Sequence, residues 1–243
     1  MRYAFVLLLF FVLGCNKESD KADSNELPQC RLSAFLYLGD RYDLVYKDNR
    51  MVQAGTGRYQ LTYTSDGKLA ASERSDLGHR TELTYNSDGR VFLERKLERR
   101  GDGSWVEFSI FTYTYTDGKV TGITENFPSM GLLFDNEVVW EGGNIRTIIS
   151  RSNNSVVCTR HYSYDLAAKN PVAPMIGLYY SDNSGGSYKL ALYNSANRLI
   201  KEESTCPAIE TIHFGYEINS KGLLQSISFD GQVFFNYEYS NCL

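Results

Sequence analysis

The residues through which this chain could do chemistry are few: five cysteines, three histidines and carboxylates gathered at turns. His79, His161 and His213 are far apart. No pair shows H-x₃-H or HExxH spacing and no CxxC occurs, so the sequence offers no metal site and no redox dithiol. No GxSxG elbow presents a nucleophilic serine. The glycines fall in turns rather than in a phosphate-cradling loop, and Gly185-Gly186 lies in a flexible SDNSGGS turn. Asp66, Asp88 and Asp117 stand where aspartate favours a turn for backbone reasons. Paired in a cleft about 5–10 Å apart, such acids would make a polysaccharide hydrolase. The reading is therefore non-enzymatic, without cofactor or metal, with the hydrolase as alternative. A net charge of −4 provides no basic field for nucleic acid.

Cys15 offers chemistry of another kind. Behind Arg2, the apolar run Tyr3–Leu13 is too short for a bilayer-spanning helix, which takes about 20 residues, and reads as the core of a signal peptide. It ends in Val12-Leu13-Gly14-Cys15, which resembles a bacterial lipobox: the thiol is lipidated and the preceding bond cleaved. The polar stretch Asn16–Glu26 is a solvated tether. The expected organisation is a signal peptide over 1–14, a tether over 15–29 and a single β-repeat domain over 30–243. Lipid is then the membrane anchor. Cys-Asn-Lys-Glu resembles an acidic surface-export signal of Bacteroidetes lipoproteins, and Asn16 in place of Asp argues against inner-membrane retention. The resemblance implies an outer-membrane lipoprotein at the cell surface, with the periplasmic face as the alternative.

The rest of the chain must position whatever site exists, and it repeats itself. Tyr59–Leu69, Thr81–Val91 and Phe111–Val120 share one grammar: alternating aromatics, an Asp-Gly turn, then Lys or Arg and an aliphatic residue. Weaker copies fall at Tyr42–Met51, Val138–Ile145, His161–Asp165, Lys189–Leu199 and Phe214–Leu223. The anchor aromatics are Tyr46, Tyr63, Tyr85, Tyr115, Trp140, Tyr164, Tyr193 and Tyr216, on average about 24 residues apart, enough for two strands and two turns. Asp-Gly between alternating segments is a strong hairpin signal. After the turn the apolar spacing becomes three, as in Val120 with Ile123, Ile145 with Ile148 and Leu224 with Ile227. This predicts a recurrent β-bulge. Lys189–Leu199 departs from the grammar, lacking a turn glycine and placing Leu190 and Leu192 out of phase with Tyr193.

Asp66-Gly67-Lys68-Leu69, Asp88-Gly89-Arg90-Val91 and Tyr162-Ser163-Tyr164-Asp165 resemble the YD (RHS-type) repeat. With the lipobox, Trp140-Glu141-Gly142-Gly143-Asn144-Ile145, and Tyr164-Asp165 followed by Asn170-Pro171, the chain looks similar to a family of uncharacterised Bacteroidetes lipoproteins with a porin-like β fold. The likeness covers residues 32–240 and implies a fold, not catalytic residues.

The architecture expected is all-β: an antiparallel meander of about 16–18 short strands closing into a flattened barrel, with an open spiral β shell as the alternative. Strands of 6–8 residues with a Thr, Ser, Lys, Glu and Arg face argue against a membrane barrel and turn the aromatics inward. With the Asp-Gly turns at one end, the first strand leaves that end and the last returns to it, so closure brings Cys30 and Cys242 together. The same count sets Cys158 and Cys206 three strands apart, roughly 14 Å. Candidate binding loops are those of Trp105, after the turn Arg99–Ser104, and of Met175 and Ile176, within Asn170–Gly177. The expected partners are the membrane, through lipid, and a glycan or a partner outer-membrane protein, bound by a monomeric module. A purely structural shell is the remaining possibility.

Overall fold

Short turns reverse the chain along its length, and the computed structural model shows what the reversals build. It describes residues 31–48, 50–55, 58–172, 187–206 and 210–240. The first strands are β1 (Arg31–Tyr37), β2 (Asp40–Lys47), β3 (Arg50–Ala54), β4 (Tyr59–Tyr63), β5 (Leu69–Arg74) and β6 (His79–Tyr85). Then follow β7 (Val91–Arg99), β8 (Trp105–Thr116), β9 (Lys119–Phe127), β10 (Leu132–Glu141), β11 (Asn144–Ser152) and β12 (Ser155–Lys169). A helix, α1 (Ser187–Asn194), precedes β13 (Asn197–Ser204), β14 (Glu210–Ile218), β15 (Leu224–Phe229) and β16 (Gln232–Ser240). Each strand pairs antiparallel with the next, and β1 pairs with β16 from Arg31↔Ser240 to Tyr37↔Phe235. The sheet is therefore a closed barrel of sixteen strands among the described residues, without a free edge, and the open spiral is overturned.

The turns behave as their residue types require. Gly67, Gly89 and Gly118 have φ of 87°, 78° and 79°, a region in which only glycine is unstrained. These turns gather at one end of the barrel, called here the upper end. The predicted bulges are present. Thr62 faces Ala71 but Tyr63 faces Leu69, and the same one-residue shift recurs beside Tyr46, Tyr85, Tyr115, Trp140 and Tyr164. The extra residue lets positions three apart share the inner face, so Ile145 and Ile148 are both fully buried.

The anchor aromatics close the upper rim. Tyr85 Oη donates to the Leu69 carbonyl at 2.7 Å, Tyr115 Oη to Val91 at 2.6 Å and Trp140 Nε1 to Val120 at 2.6 Å. Tyr46, Tyr63, Tyr164 and Tyr239 bond Leu32, Met51, Ile145 and Leu224 in the same way. The cation before the aliphatic residue lies over the same ring, as Lys68 over Tyr85 at 5.3 Å and Arg90 over Tyr115 at 5.6 Å. Each such bond is worth about 0.5–1.5 kcal/mol and each stacked cation about 0.5–1 kcal/mol. The repeat's Lys/Arg-aliphatic pair is thus the seat for the next aromatic.

Three expectations need correction. Lys189–Leu199 is not a hairpin unit: most of it is α1, with Leu190, Ala191 and Leu192 buried in succession and Tyr193 packed against the core from the helix rather than from a strand. Consecutive buried residues fit a helix enclosed on several sides, not a strand with one inner face. Since α1 stands where strands were counted, β12 and β13 are neighbours, and Cys158 and Cys206 form a disulfide with Cα atoms 4.8 Å apart rather than 14 Å. Strand length also differs, running from 5 residues in β3 to 15 in β12, so shortness does not argue against a membrane barrel. The outer face still does. Glu73, Arg80, Glu82, Arg95 and Glu107 form an ion-pair ladder across β5 to β8, and cationic side chains set against hydrocarbon cost about 2–4 kcal/mol each. No helix among the described residues is long and apolar enough to cross a membrane.

A β carbon added at Gly89 would meet Lys68 Nζ at 3.2 Å, on top of the positive φ. Gly89→Val is expected to cost about 1 kcal/mol or more and lower Tm by about 2–4 °C per kcal/mol. An unchanged melting curve would contradict the turn geometry. Cys30 and Cys242 lie outside the described residues, one position before Arg31 and two after Ser240 in the sequence, and Arg31 and Ser240 are register partners. Peptide mapping without reductant should find Cys158–Cys206 and Cys30–Cys242. Opening the first of these, a 48-residue separation, should cost about 4 kcal/mol in the chain-entropy model.

Candidate functional site

Beneath the upper rim, the repeat delivers three kinds of side chain to one place. The even strands β4, β6, β8 and β10 bring the rings of Tyr63, Tyr85, Tyr115 and Trp140. The aliphatic seats Leu69, Val91 and Val120 lie between them, and Lys68, Arg90 and Lys119 stand at the upper edge. Leu190 and Asn194 of α1 form the opposing wall. Together they surround a cavity of about 740 Å³, within the size range of small-molecule sites. Among the described residues, no Asp or Glu lines it.

The helix is held in the barrel by the segment that carries the family resemblance. Asn144 and Asn197 bond reciprocally: Asn144 Nδ2 donates to Asn197 Oδ1 at 3.0 Å, and the Asn197 N–H donates to Asn144 Oδ1 at 2.9 Å. Ser195 Oγ accepts the Ile145 N–H and donates to Tyr164 Oη. Asn170 Nδ2 donates to the carbonyls of Leu192 and Ser195 at 2.6 and 2.8 Å. Trp140–Ile145 and Asn170 are therefore parts of a latch for α1, and the conformation of Gly143, with φ of 86°, lets its carbonyl accept the Ala196 N–H.

Below the cavity the lumen turns polar. Tyr113 Oη donates to Glu94 at 2.6 Å, and Lys96 Nζ lies 3.8 Å from the same carboxylate. Arg160 reaches Glu202 at 3.6 Å. Burial raises the Glu125 carboxyl, with Lys96 opposing and Glu94 adding to the shift. Burial likewise pushes Glu202 up to about 7, against the pull of Arg160 and with a smaller push from Glu210. This charged layer was missed in the sequence, yet its signal is there. Glu94 and Glu202 occupy the third position after Val91 and Leu199, the same inner-face position that Ile123 and Ile148 fill elsewhere.

The residues singled out in the sequence are not brought together. Trp105 opens β8 at the lower end, paired with Arg99 and away from the cavity. Met175 and Ile176 lie outside the described residues, as do Cys15, Cys30 and Cys242. The histidines are separate: His79 lies 3.8 Å from Glu98, His161 bonds Thr147 and His213 bonds Asp230. His161 and His213 sit inside β12 and β14 rather than at strand starts. No cluster of His, Cys, Asp and Glu among the described residues could hold a metal ion. Asp66 pairs with Lys68 of its own turn at 2.9 Å, and Asp88 with Arg90 at 3.6 Å, so these acids serve their turns.

Comparison with known proteins extends the fold and not the chemistry. No family model matches the chain, and no curated protein matches it. Among solved structures it is similar to a porin-like protein from Bacteroides vulgatus, at 12% identity over 86% of this chain and 98% of that one, with a TM-score of 0.56. A porin-like protein from Bacteroides uniformis also matches, at 12% identity over 88% and 94% of the two chains, with a TM-score of 0.49. At such identity the first likeness shows a shared barrel fold alone.

Glu202 gives the site a pH signature. Its folded pKa of about 7 lies above the ordinary 4.5, so the folded state holds this proton more tightly than the unfolded chain does. The stability it contributes is complete below about pH 4.5 and is lost as pH rises through 7. The loss is on the order of 3 kcal/mol. Glu202→Gln, which cannot ionise, should gain in Tm relative to the parent between pH 5 and pH 8. Parallel Tm profiles for the two proteins would contradict the assignment.

Proposed function

We propose that this protein is a non-enzymatic binding module of the cell envelope, anchored in the outer membrane through lipid on Cys15, with the upper-end cavity as its binding site. The observation that carries the reading is that cavity: enclosed by aromatic and aliphatic walls, edged with cations and free of carboxylates among its lining residues. A glycosidase needs two carboxyl groups about the substrate, so the lining favours binding over the hydrolase alternative. Sixteen strands can leave a channel. Here α1, the aromatics and the charged layer occupy the lumen, which favours a binding vessel over a conduit. The charged outer ladder supports an anchor made of lipid rather than of the barrel wall. β1 begins at the upper end, so Arg31, the first described residue, stands at the end at which the cavity opens.

The test has two arms. Cys15→Ala should move the protein out of the detergent phase, and unchanged partitioning would remove the anchor. Leu69→Trp should narrow the cavity between Tyr63 and Tyr85 and weaken ligand capture at least tenfold while Tm stays within a few degrees. Equal capture by parent and variant would remove the cavity as the site.

A further inference from the structure

We propose that the upper-end cavity takes an amphipathic anion, a carboxylate or phosphate head on an apolar body, a ligand class that rests on the cavity being the binding site. Two features of the wall set this chemistry. The first is that its polar tips are engaged by the protein. Tyr63, Tyr85 and Tyr115 donate their hydroxyl protons to backbone carbonyls, and Trp140 donates its indole N–H. Tyr113 donates to Glu94, and the Asn194 amide donates to the Leu190 carbonyl. A neutral sugar entering here would lose its hydration and find few groups to replace it, a cost of a few kcal/mol for each unpaired hydroxyl. An apolar body loses nothing by the same transfer and gains from contact with Leu69, Val91, Val120 and Leu190.

The second feature is charge. Lys68 and Arg90 are paired with the aspartates of their own turns. Lys119 makes no ion pair among the described residues; it stands over the Trp140 ring at 5.3 Å, exposed at the mouth. The Arg90 guanidinium comes within 3.0 Å of the place a β carbon would take at Gly118, the residue before Lys119. Two cations of successive repeat units thus stand along the rim, Arg90 over Tyr115 and Lys119 over Trp140; Arg90 shares its charge with Asp88, which leaves Lys119 as the seat for an anion. An anionic head paired at Lys119 leaves its apolar body directed between the walls. The charge-assisted bonds fix orientation, and the burial supplies affinity.

The protein carries its own reporter. It has two tryptophans, and only Trp140 lines the cavity. The full chain with Trp105→Phe, held in amphipol, is titrated while its fluorescence is read. The probes are octanoate, octyl phosphate, octyl glucoside, sodium acetate, inorganic phosphate and maltohexaose. Saturable changes with octanoate, octyl phosphate or both are expected, with the binding heat of the same probes in calorimetry lost in Leu69→Trp, and which of the two responds distinguishes a carboxylate source from a phosphate one. Lys119→Ala should weaken that binding at least tenfold, and Lys119→Arg should restore most of it. Equal response to octyl glucoside, or indifference to Lys119→Ala, overturns the proposal. Response to acetate or phosphate alone, without need of the chain, overturns it as well. Binding of maltohexaose with no response to the anions overturns the ligand class while leaving the cavity as the site. Silence towards all six probes counts against both.

Discussion

The structure depends on one bond made repeatedly: an aromatic tip on an even strand donating to the carbonyl that opens the preceding odd strand. Each odd strand and the even strand after it are joined by a turn at the lower end, so their upper ends would splay without a tie. Tyr85 to Leu69 and Tyr115 to Val91 are such ties. Around the upper rim, covalent turns and these clasps alternate, and the rim becomes continuous. The bulge beside each aromatic is the geometric condition for the clasp, since it turns the aliphatic residue and its carbonyl to meet the ring. Tyr216 is the exception, its hydroxyl buried without a hydrogen-bond partner among the described residues.

The clasp also explains why the cavity has the chemistry it has. A ring whose polar end must reach a backbone carbonyl presents its face and edge to the lumen, and the cation that precedes the carbonyl is held over that face. Structure and site are therefore built from the same side chains. The wall becomes apolar because its polar atoms hold the rim together, and the rim becomes cationic because Lys and Arg pack on the rings. Below, where no clasp is needed, Glu94, Lys96, Glu125, Arg160 and Glu202 occupy the inner face, and burial raises the carboxyls of Glu125 and Glu202.

Much of the fold was legible because turn chemistry is local. Asp-Gly with alternating aromatics gave the hairpins, and a spacing of three gave the bulges. The cost of leaving two free edges on so long a meander gave the closure. What escaped was the part that needs the third dimension. Leu190, Ala191 and Leu192 are buried in succession only because a barrel surrounds them, and no local period announces that. The latch of Asn144, Asn170 and Asn197 joins residues 22 to 53 positions apart, so its members read as turn residues. Glu94 and Glu202 were readable in principle, by applying the spacing of three to every repeat rather than to the aliphatic ones. Trp105 drew notice as an irregularity, but a break in a repeat does not place a residue at the working end of the barrel.

Closure of β1 on β16 has a temporal side. Fifteen of the sixteen strand pairings join neighbours in sequence, and each can form as soon as its two strands exist. The remaining one joins Arg31 to Ser240 across nearly the whole domain. Local pairings are fast, while a contact of such separation waits for the loop entropy of everything between. An arc of fifteen pairings thus precedes the ring, with two open strand edges and the seat of α1 exposed. During that interval the edges invite pairing with other chains. The seam between first and last strands is then both the slowest step of assembly and the one that ends the hazard.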